Sequence, residues 1–342
     1  MIVLFDSKEG RGGGQVVLES LLRRFVDSET PVAVVMPAAG QRAISIPEPI
    51  ITFDTEKDFL DASTPAESYL LVSNANSSLP AVVRAGKALQ TKGATVRTAA
   101  IVHNYAEKLV NRVATRVLLR KIDLPIAVEP GLAAMRKDIV IPPWLSLESA
   151  PAPLPRDVAR TGKVKTFARP DHSKGLHLLP AIFRLLEENG YTGEVAVGQA
   201  LQQQSSYKAQ LESDLKPWAV TGSRTADWIN PGDIFLVPSV SGEAVCLSAQ
   251  EAMAKGAFVV ASRVGLLSYM SPTSTGIRTF EVGDTSGAAN TILEALTMDA
   301  SEFADECHSG NAQIRDRAGL WYEHVVRLLA STDDDLTAAT RA

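Results

Sequence analysis

Cysteine is scarce: two occur in 342 residues, Cys246 and Cys307, far apart and in no CxxC or Cys/His spacing. Neither a disulfide framework nor a structural zinc site is encoded, and a reducing compartment is expected. Long apolar runs are missing too. No stretch approaches the ~18 uninterrupted apolar residues that cross a bilayer, so the chain is expected to be soluble or to lie on a membrane surface. Basic charge is not in excess, since 34 lysines and arginines face 39 acidic residues for a net charge of -5. That balance excludes a chain-wide electrostatic footprint for nucleic acid and makes any basic site a local one. There is no repeat at a fixed period and no low-complexity tract. The opening MIVLFDSKEGRGGG has a short apolar run ending at Asp6, without a basic leader or cleavage-site pattern, and reads as a first strand.

What is present is an ordinary globular composition, 45% hydrophobic and 21% charged, in a chain long enough for two domains at roughly 150 residues each. Short apolar runs alternate with helix-length segments: IVLF (2–5), PVAVVM (31–36), SYLLVS (68–73), TVRTAAIVH (95–103) and LPIAVEP (124–130). Runs apolar on both faces, separated by helices, imply a buried parallel sheet. Five prolines between 142 and 155 interrupt this grammar and read as an extended connector. It then restarts with KVKTFAR (163–169), EVAVG (194–198), AVTG (219–222), DIFLVPS (233–239) and FVVAS (258–262), followed by a helical tail over 300–329. We place a first domain at 1–145, a linker at 146–160 and a second domain at 161–317. The fold class is α/β, with two Rossmann-like, doubly wound domains. Facing each other, they would leave a central cleft bordered by the carboxyl ends of both sheets, where such sheets bind ligands.

Three constellations carry candidate chemistry. Gly10, Gly12, Gly13 and Gly14 sit between the first strand and first helix, where glycine admits an anion to helix-terminal N–H groups. Gln15 stands where GxGxxG needs its third glycine, so NAD is not expected, and a turn without a ligand is the plain alternative. FARPDHSKG places Arg169 at a strand end and Lys174 before a helix, two cations suited to a diphosphate or to a solvated loop. In VPSVSGEAVCLSAQEAMAKGAFVVAS, Glu243 follows a strand and Glu251 comes eight positions later in a helix. If that helix begins just after Glu243, the amides of Val245, Cys246 and Leu247 form an anion site between two carboxylates that accept hydrogen bonds from sugar hydroxyls. Two unrelated surface glutamates would give the same spacing.

The run DIFLVPSVSGEAVCLSAQEAMAKGAFVVASRVG resembles the donor-binding core of family 4 retaining glycosyltransferases, which have the GT-B fold. The seven-residue gap between Glu243 and Glu251 matches, and FARPDHSKGLHLL, GEVAVG, GRGGGQVVL and AIVHNY follow the family's other landmarks in order. The resemblance implies that Arg169 and Lys174 clamp the donor diphosphate, that Glu251 holds the ribose hydroxyls, and that Glu243 with the amides of Val245, Cys246 and Leu247 holds the sugar and adjacent phosphate. It further implies that Gly13 and Gly14 admit the phosphate or acceptor and that His103 faces the reacting sugar, although a lone histidine at a strand end is often a satisfied structural group. The helix over 318–335 would return to the first domain. Transfer would retain configuration, with no metal and no cofactor beyond the nucleoside diphosphate sugar. Outside Asp333–Asp335 no DxD cluster exists to hold a metal. Ala244 and Val245 replace the family's Phe-Gly, and Gly265 is followed by Leu266 where a second glycine is usual.

Lys108, Arg112, Arg116 and Arg120 recur every four residues on one helix, with Leu109, Val113 and Val117 free to face the sheet. This stripe suits an anionic membrane surface or a phosphorylated acceptor, or is a solvated face. The expected protein is a hexosyltransferase-type enzyme of cell envelope polysaccharide, in the cytoplasm or on the cytoplasmic face of the membrane. Its acceptor would be a sugar, glycan or lipid-linked hydroxyl. The rival readings are a sugar-nucleotide epimerase or phosphorylase of the same fold, and a catalytically silent partner subunit.

Overall fold

The computed structural model describes every residue except 10–12, 66, 104–108, 130, 133–137, 142–144, 198–205, 221–227, 242, 271–275 and 332–342. The chain divides into two compact units, Met1–Leu145 with Leu320–Ala342, and Ser146–Gly319. Among the described residues, no helix is long and apolar enough to cross a membrane.

The amino-terminal unit is built on six parallel strands, β1 (Ile2–Phe5), β2 (Val32–Val35), β3 (Ile51–Phe53), β4 (Ser68–Ser73), β5 (Thr95–Val102) and β6 (Leu124–Ala127), in the order β3-β2-β1-β4-β5-β6. Ile2, Val3, Leu4 and Phe5 pair with Val32–Val35 on one side and with 70–73 on the other, and all four are buried. A strand enclosed on both faces must be apolar throughout, which is why IVLF is legible as one. The edge strand β3 is mostly exposed and not an apolar run, so apolar-run reading passes over it. Helices α1 (Gly13–Asp27), α2 (Ala38–Ala43), α3 (Glu56–Ala62), α4 (Leu79–Thr91) and α5 (Leu109–Leu119) connect the strands. The chain direction across the sheet reverses between β1 and β4, the doubly wound arrangement whose switch point is a ligand position.

The carboxy-terminal unit has five parallel strands, β7 (Lys163–Ala168), β8 (Thr192–Val197), β9 (Ile234–Val237), β10 (Phe258–Ser262) and β11 (Ile277–Phe280), ordered β11-β10-β9-β7-β8. Its switch point lies between β7 and β9. Its helices are α6 (Leu179–Glu188), α7 (Ser206–Asp214), α8 (Leu247–Ala254), α9 (Leu267–Met270), α10 (Thr285–Thr297) and α11 (Ala300–Arg317). The strand expected at 219–222 is absent from 219–220. A 3-10 turn, Lys216–Trp218, leads only to a single bridge between Ala219 and Val195. Pro217 starts that turn, and the Trp218 indole is fixed by a 2.6 Å bond to Glu187. Residues 221–222 lie outside the described residues.

The helical tail is two helices rather than one. After α11, Gly319 at φ 77 turns the chain into α12 (Leu320–Ala330), a conformation that favours glycine. In the amino-terminal unit α12 packs on α1, with Arg24 over the Tyr322 ring and 3.5 Å from Glu323. The proline-rich segment after 145 is fastened to the carboxy-terminal unit. Asn311 donates to the Ala152 carbonyl, Arg160 donates to the Leu296 and Met298 carbonyls, and Thr161 donates to Asp233.

A fully buried ion pair underlies the carboxy-terminal sheet. The Lys165 Nζ of β7 lies 2.6 Å from Asp233 Oδ2 and donates to the Trp228 carbonyl at 2.8 Å. Asp233 also accepts from the Thr161 hydroxyl and the Asn230 amide. Removing one partner leaves an uncompensated buried charge. Lys165→Met is therefore expected to cost about 3–5 kcal/mol in urea unfolding of this unit, and a loss below about 1 kcal/mol would contradict that role.

Candidate functional site

Each unit carries a polar cluster beyond the carboxyl ends of its strands, at its own switch point. In the carboxy-terminal unit the loop after β7 forms a tight turn. Asp171 accepts from the Ser173 amide at 2.9 Å and hydroxyl at 2.8 Å, which starts the single 3-10 turn His172–Lys174. Gly175 ends it at φ 67, and a Cβ there would lie 1.8 Å from the Pro238 carbonyl oxygen. The Ser173 carbonyl accepts from Val240 N at 2.8 Å and Ser241 N at 3.3 Å. The loop after β7 is thus stitched to the loop after β9.

That stitching brings Lys174 to Glu243, with Nζ 2.6 Å from Oε1. The Ser239 hydroxyl donates to the same Oε1 at 2.6 Å. Both bonds fall on one oxygen, and Oε2 retains accepting capacity. Lys174 and Glu243 keep 19% and 8% of their side-chain exposure, so the pair borders solvent without being dissolved in it. Gly265, at φ 55, lies against the Glu243 backbone, where a Cβ would stand 1.3 Å from its carbonyl oxygen. Leu266 N then donates to the Ala244 carbonyl at 3.2 Å. Leu266 itself is fully buried.

The other expected donor residues are placed as follows. Arg169 is exposed just beyond β7. Burial pushes the Asp171 carboxyl up, but the Ser173 bonds and the Arg169 and Lys174 charges outweigh it and hold Asp171 below the usual range. Glu251 is half-buried in the second turn of α8. The helix does not begin just after Glu243, however. Cys246 is its N-cap at φ 49 and Leu247 its first residue. Val245 therefore lies outside the first turn, and its carbonyl accepts from Gln250 Nε2 at 3.0 Å. The amides that open toward the helix's positive end are those of Cys246, Leu247 and Ser248. Burial, then the Glu243 charge, pushes the Cys246 thiol up to about 12, which removes it as a nucleophile at neutral pH.

The amino-terminal cluster joins the ends of three strands. Asp6 follows β1, Asn74 follows β4 and His103 follows β5. Asp6 is 3% exposed and accepts from Lys8 N at 2.8 Å, Gln15 Nε2 at 3.2 Å and Asn74 Nδ2 at 2.7 Å. Asn74 Nδ2 also donates to the Gly14 carbonyl at 3.2 Å, and Asn74 Oδ1 lies 3.3 Å from His103 Nε2. Burial depresses His103 to about 4, against the opposing effect of hydrogen bonding to the Asn74 backbone, so the imidazole is neutral at physiological pH. Gly13 is exposed as the first residue of α1, and a Cβ on Gly14 would meet nothing within 4 Å. Asp6, Asn74 and Gln15 belong to this cluster, although the sequence reading gave them no role in a site. Gln15 lies inside α1 and carries no signal of its own, whereas for Asp6 and Asn74 the signal is a polar residue directly after a buried strand. Glu129 is another, 2% exposed past β6, with burial raising its carboxyl and the Gly131 amide donating to it at 2.6 Å.

On α5 the apolar face is not where the spacing put it. Thr115 and Leu119 are buried, while Val110, Val113 and Val117 are 78%, 54% and 47% exposed. Arg112, Arg116 and Arg120 are exposed beside them. Lys108 and the Leu109 side chain lie outside the described residues.

Residues 162–298 match the family model for glycosyl transferases group 1. A search of curated proteins finds no match. Among solved structures, HepE from Anabaena in complex with UDP and glucose aligns with a TM-score of 0.76 at 16% identity, over 98% of this chain and 99% of that one. Sucrose-phosphate synthase from Thermosynechococcus elongatus aligns at 0.68 and 16% identity, over 99% of both chains. A trehalose-6-phosphate protein of E. coli bound with UDP-2-fluoro glucose aligns at 0.68 and 11% identity, over 97% of this chain and 99% of that one. The resemblance drawn from the sequence is borne out as far as these comparisons reach: residues 162–298 match the glycosyl transferases group 1 model, and the chain has the GT-B fold.

Gly265→Ala is expected to displace the Glu243 backbone. It should lower stability by more than ~1 kcal/mol, since alanine is strained at positive φ, and weaken any ligand that Glu243 binds. Unfolding and nucleotide titrations on the same variant check this, and wild-type values in both would contradict it.

Proposed function

We propose that this chain, a GT-B protein carrying a glycosyl transferases group 1 domain, transfers a sugar from a nucleoside diphosphate to an acceptor hydroxyl with retention of configuration and without a metal. The observation that carries the reading is the 2.6 Å contact of Lys174 with Glu243 beyond β7 and β9. A cation and a carboxylate with one free oxygen, held at a sheet's switch point, suit a ligand that is part diphosphate and part polyol.

In this assignment Lys174 and Arg169 hold the diphosphate, and Glu243 Oε2 accepts from a sugar hydroxyl. The amides of Cys246 and Leu247 face the phosphate, and Glu251 takes the ribose hydroxyls. In the amino-terminal unit, His103 is assigned to the reacting sugar, and Gly13 and Gly14 to the phosphate or acceptor. The acceptor oxygen bonds to the anomeric carbon as the carbon–oxygen bond to the donor phosphate breaks, and the acceptor proton ends on the released diphosphate. Negative charge grows on the leaving group, which is what fixed cations stabilise.

Lys174→Ala is expected to lower kcat by about 10²–10³-fold, the scale of losing one group aimed at developing charge. Glu251→Ala is expected mainly to weaken nucleotide binding. Steady-state assays with sugar nucleotides and calorimetry with nucleoside diphosphates check both, and wild-type turnover in both variants would overturn the assignment. Conversion of a sugar nucleotide with no acceptor present would favour an epimerase, and a requirement for inorganic phosphate a phosphorylase. Absence of any nucleotide binding would favour a silent subunit.

The exposed valines favour one finer reading, a lipid-linked acceptor met at the cytoplasmic face of a membrane. On α5 the valines form one stripe, with Arg112, Arg116 and Arg120 along its flank, the pattern of a helix lying in an anionic interface. Vesicles containing phosphatidylserine are expected to sediment with the wild type and to lose the triple variant Val110→Ser, Val113→Ser, Val117→Ser. Equal sedimentation of both proteins would contradict this.

A further inference from the structure

The cluster of Asp6, Asn74 and His103 carries more than its position. An asparagine side chain has one donating and one accepting end, and which end faces which neighbour is decided by the neighbours. Asn74 has two neighbours that only accept, the Asp6 carboxylate at 2.7 Å and the Gly14 carbonyl at 3.2 Å. Its NH2 must face them, so its oxygen faces His103. That oxygen lies 3.3 Å from Nε2 and only accepts, so Nε2 must carry the proton.

Asp6 is in turn committed. Oδ1 takes the Lys8 amide, and Oδ2 takes both Gln15 and Asn74. Every partner is a donor, which suits a carboxylate, and the residue is 3% exposed, which holds it in one place. The order of dependence therefore runs from Asp6 to Asn74 to His103.

We infer that Asp6 and Asn74 are positioning residues that hold His103 as the Nε2–H tautomer and leave Nδ1 as a hydrogen-bond acceptor for a sugar hydroxyl. The clause about the hydroxyl rests on the glycosyltransferase reading, whereas the tautomer stands on the geometry alone. An imidazole fixed this way takes a donor and offers none at Nδ1, so it distinguishes a hydroxyl from a phosphate. Among the described residues no charge acts directly on His103, and with its protonation depressed to about 4 it orients a hydroxyl rather than removing its proton.

The test uses the full chain with 15N-labelled histidine, five residues in all. His103 is assigned by the signal lost in His103→Gln. Long-range 1H–15N spectra of the wild type at pH 7 are expected to show His103 wholly in the Nε2–H form, with a slowly exchanging Nε2 proton. In Asn74→Ala that proton signal is expected to vanish into exchange with water. In Asn74→Asp the added carboxylate beside Nε2 is expected to move the His103 titration midpoint upward. An Nδ1–H signal in the wild type, or a mixture of tautomers, overturns the proposal even if no variant folds. In the kinetic arm, Asn74→Ala is expected to raise the KM for the sugar nucleotide about tenfold, the scale of one lost hydrogen bond. The expected spectra with an unchanged KM overturn the hydroxyl assignment and leave the donor-site reading to be judged by Lys174→Ala.

Discussion

The contact between Lys174 and Glu243 is the point on which the carboxy-terminal site depends, because neither residue reaches it alone. Lys174 is delivered by a turn that Asp171 starts and Gly175 ends, and that turn is bonded through the Ser173 carbonyl to Val240 and Ser241. Glu243 is held from the other side by Ser239 and by the close approach of Gly265 to its carbonyl. Three loops, from β7, β9 and β10, are therefore fixed to one another before any ligand arrives. A site assembled in advance spends little binding free energy on ordering loops, which leaves more for the transition state.

The two units solve the same topological problem with different chemistry. In each, the sheet order reverses between neighbouring strands, and polar groups from the two strand ends on either side of the reversal are hydrogen-bonded to one another. In the carboxy-terminal unit that position holds a cation and a carboxylate. In the amino-terminal unit it holds a buried aspartate, two amides and a neutral imidazole. The first suits charge, and the second suits hydroxyls. That division agrees with a reaction whose donor carries a diphosphate and whose acceptor carries none at its reacting atom.

The sequence makes the central strands legible because burial on both faces forces them to be apolar, as in IVLF and FVVAS. It hides β3 and β11, whose edge positions leave polar residues such as Thr52, Arg278 and Thr279 within the strand. Lys174 and Glu243, the pair the structure brings together, are legible through spacing, since a loop and a helix after a strand impose a fixed interval. The start of α8 is not, because a left-handed Cys246 caps the helix and makes Leu247 its first residue instead of the residue after Glu243. The network around Asp6 is invisible for another reason. Its members are separated by 68 residues between Asp6 and Asn74 and by 29 between Asn74 and His103, and only the parallel sheet brings their strand ends side by side. The spacing puts Val113 and Val117 on the wrong side of α5 because the buried side carries the polar Thr115 beside Leu119, so the more apolar stripe of this helix is the exposed one.

The most direct test of the account is a crystal structure of the chain with a nucleoside diphosphate bound. The account requires the diphosphate beyond the carboxyl ends of β7 and β9, within hydrogen-bond distance of Lys174 Nζ and with the ribose hydroxyls at Glu251. A diphosphate bound elsewhere, with the Lys174–Glu243 contact undisturbed and no ligand atom near it, would contradict the account.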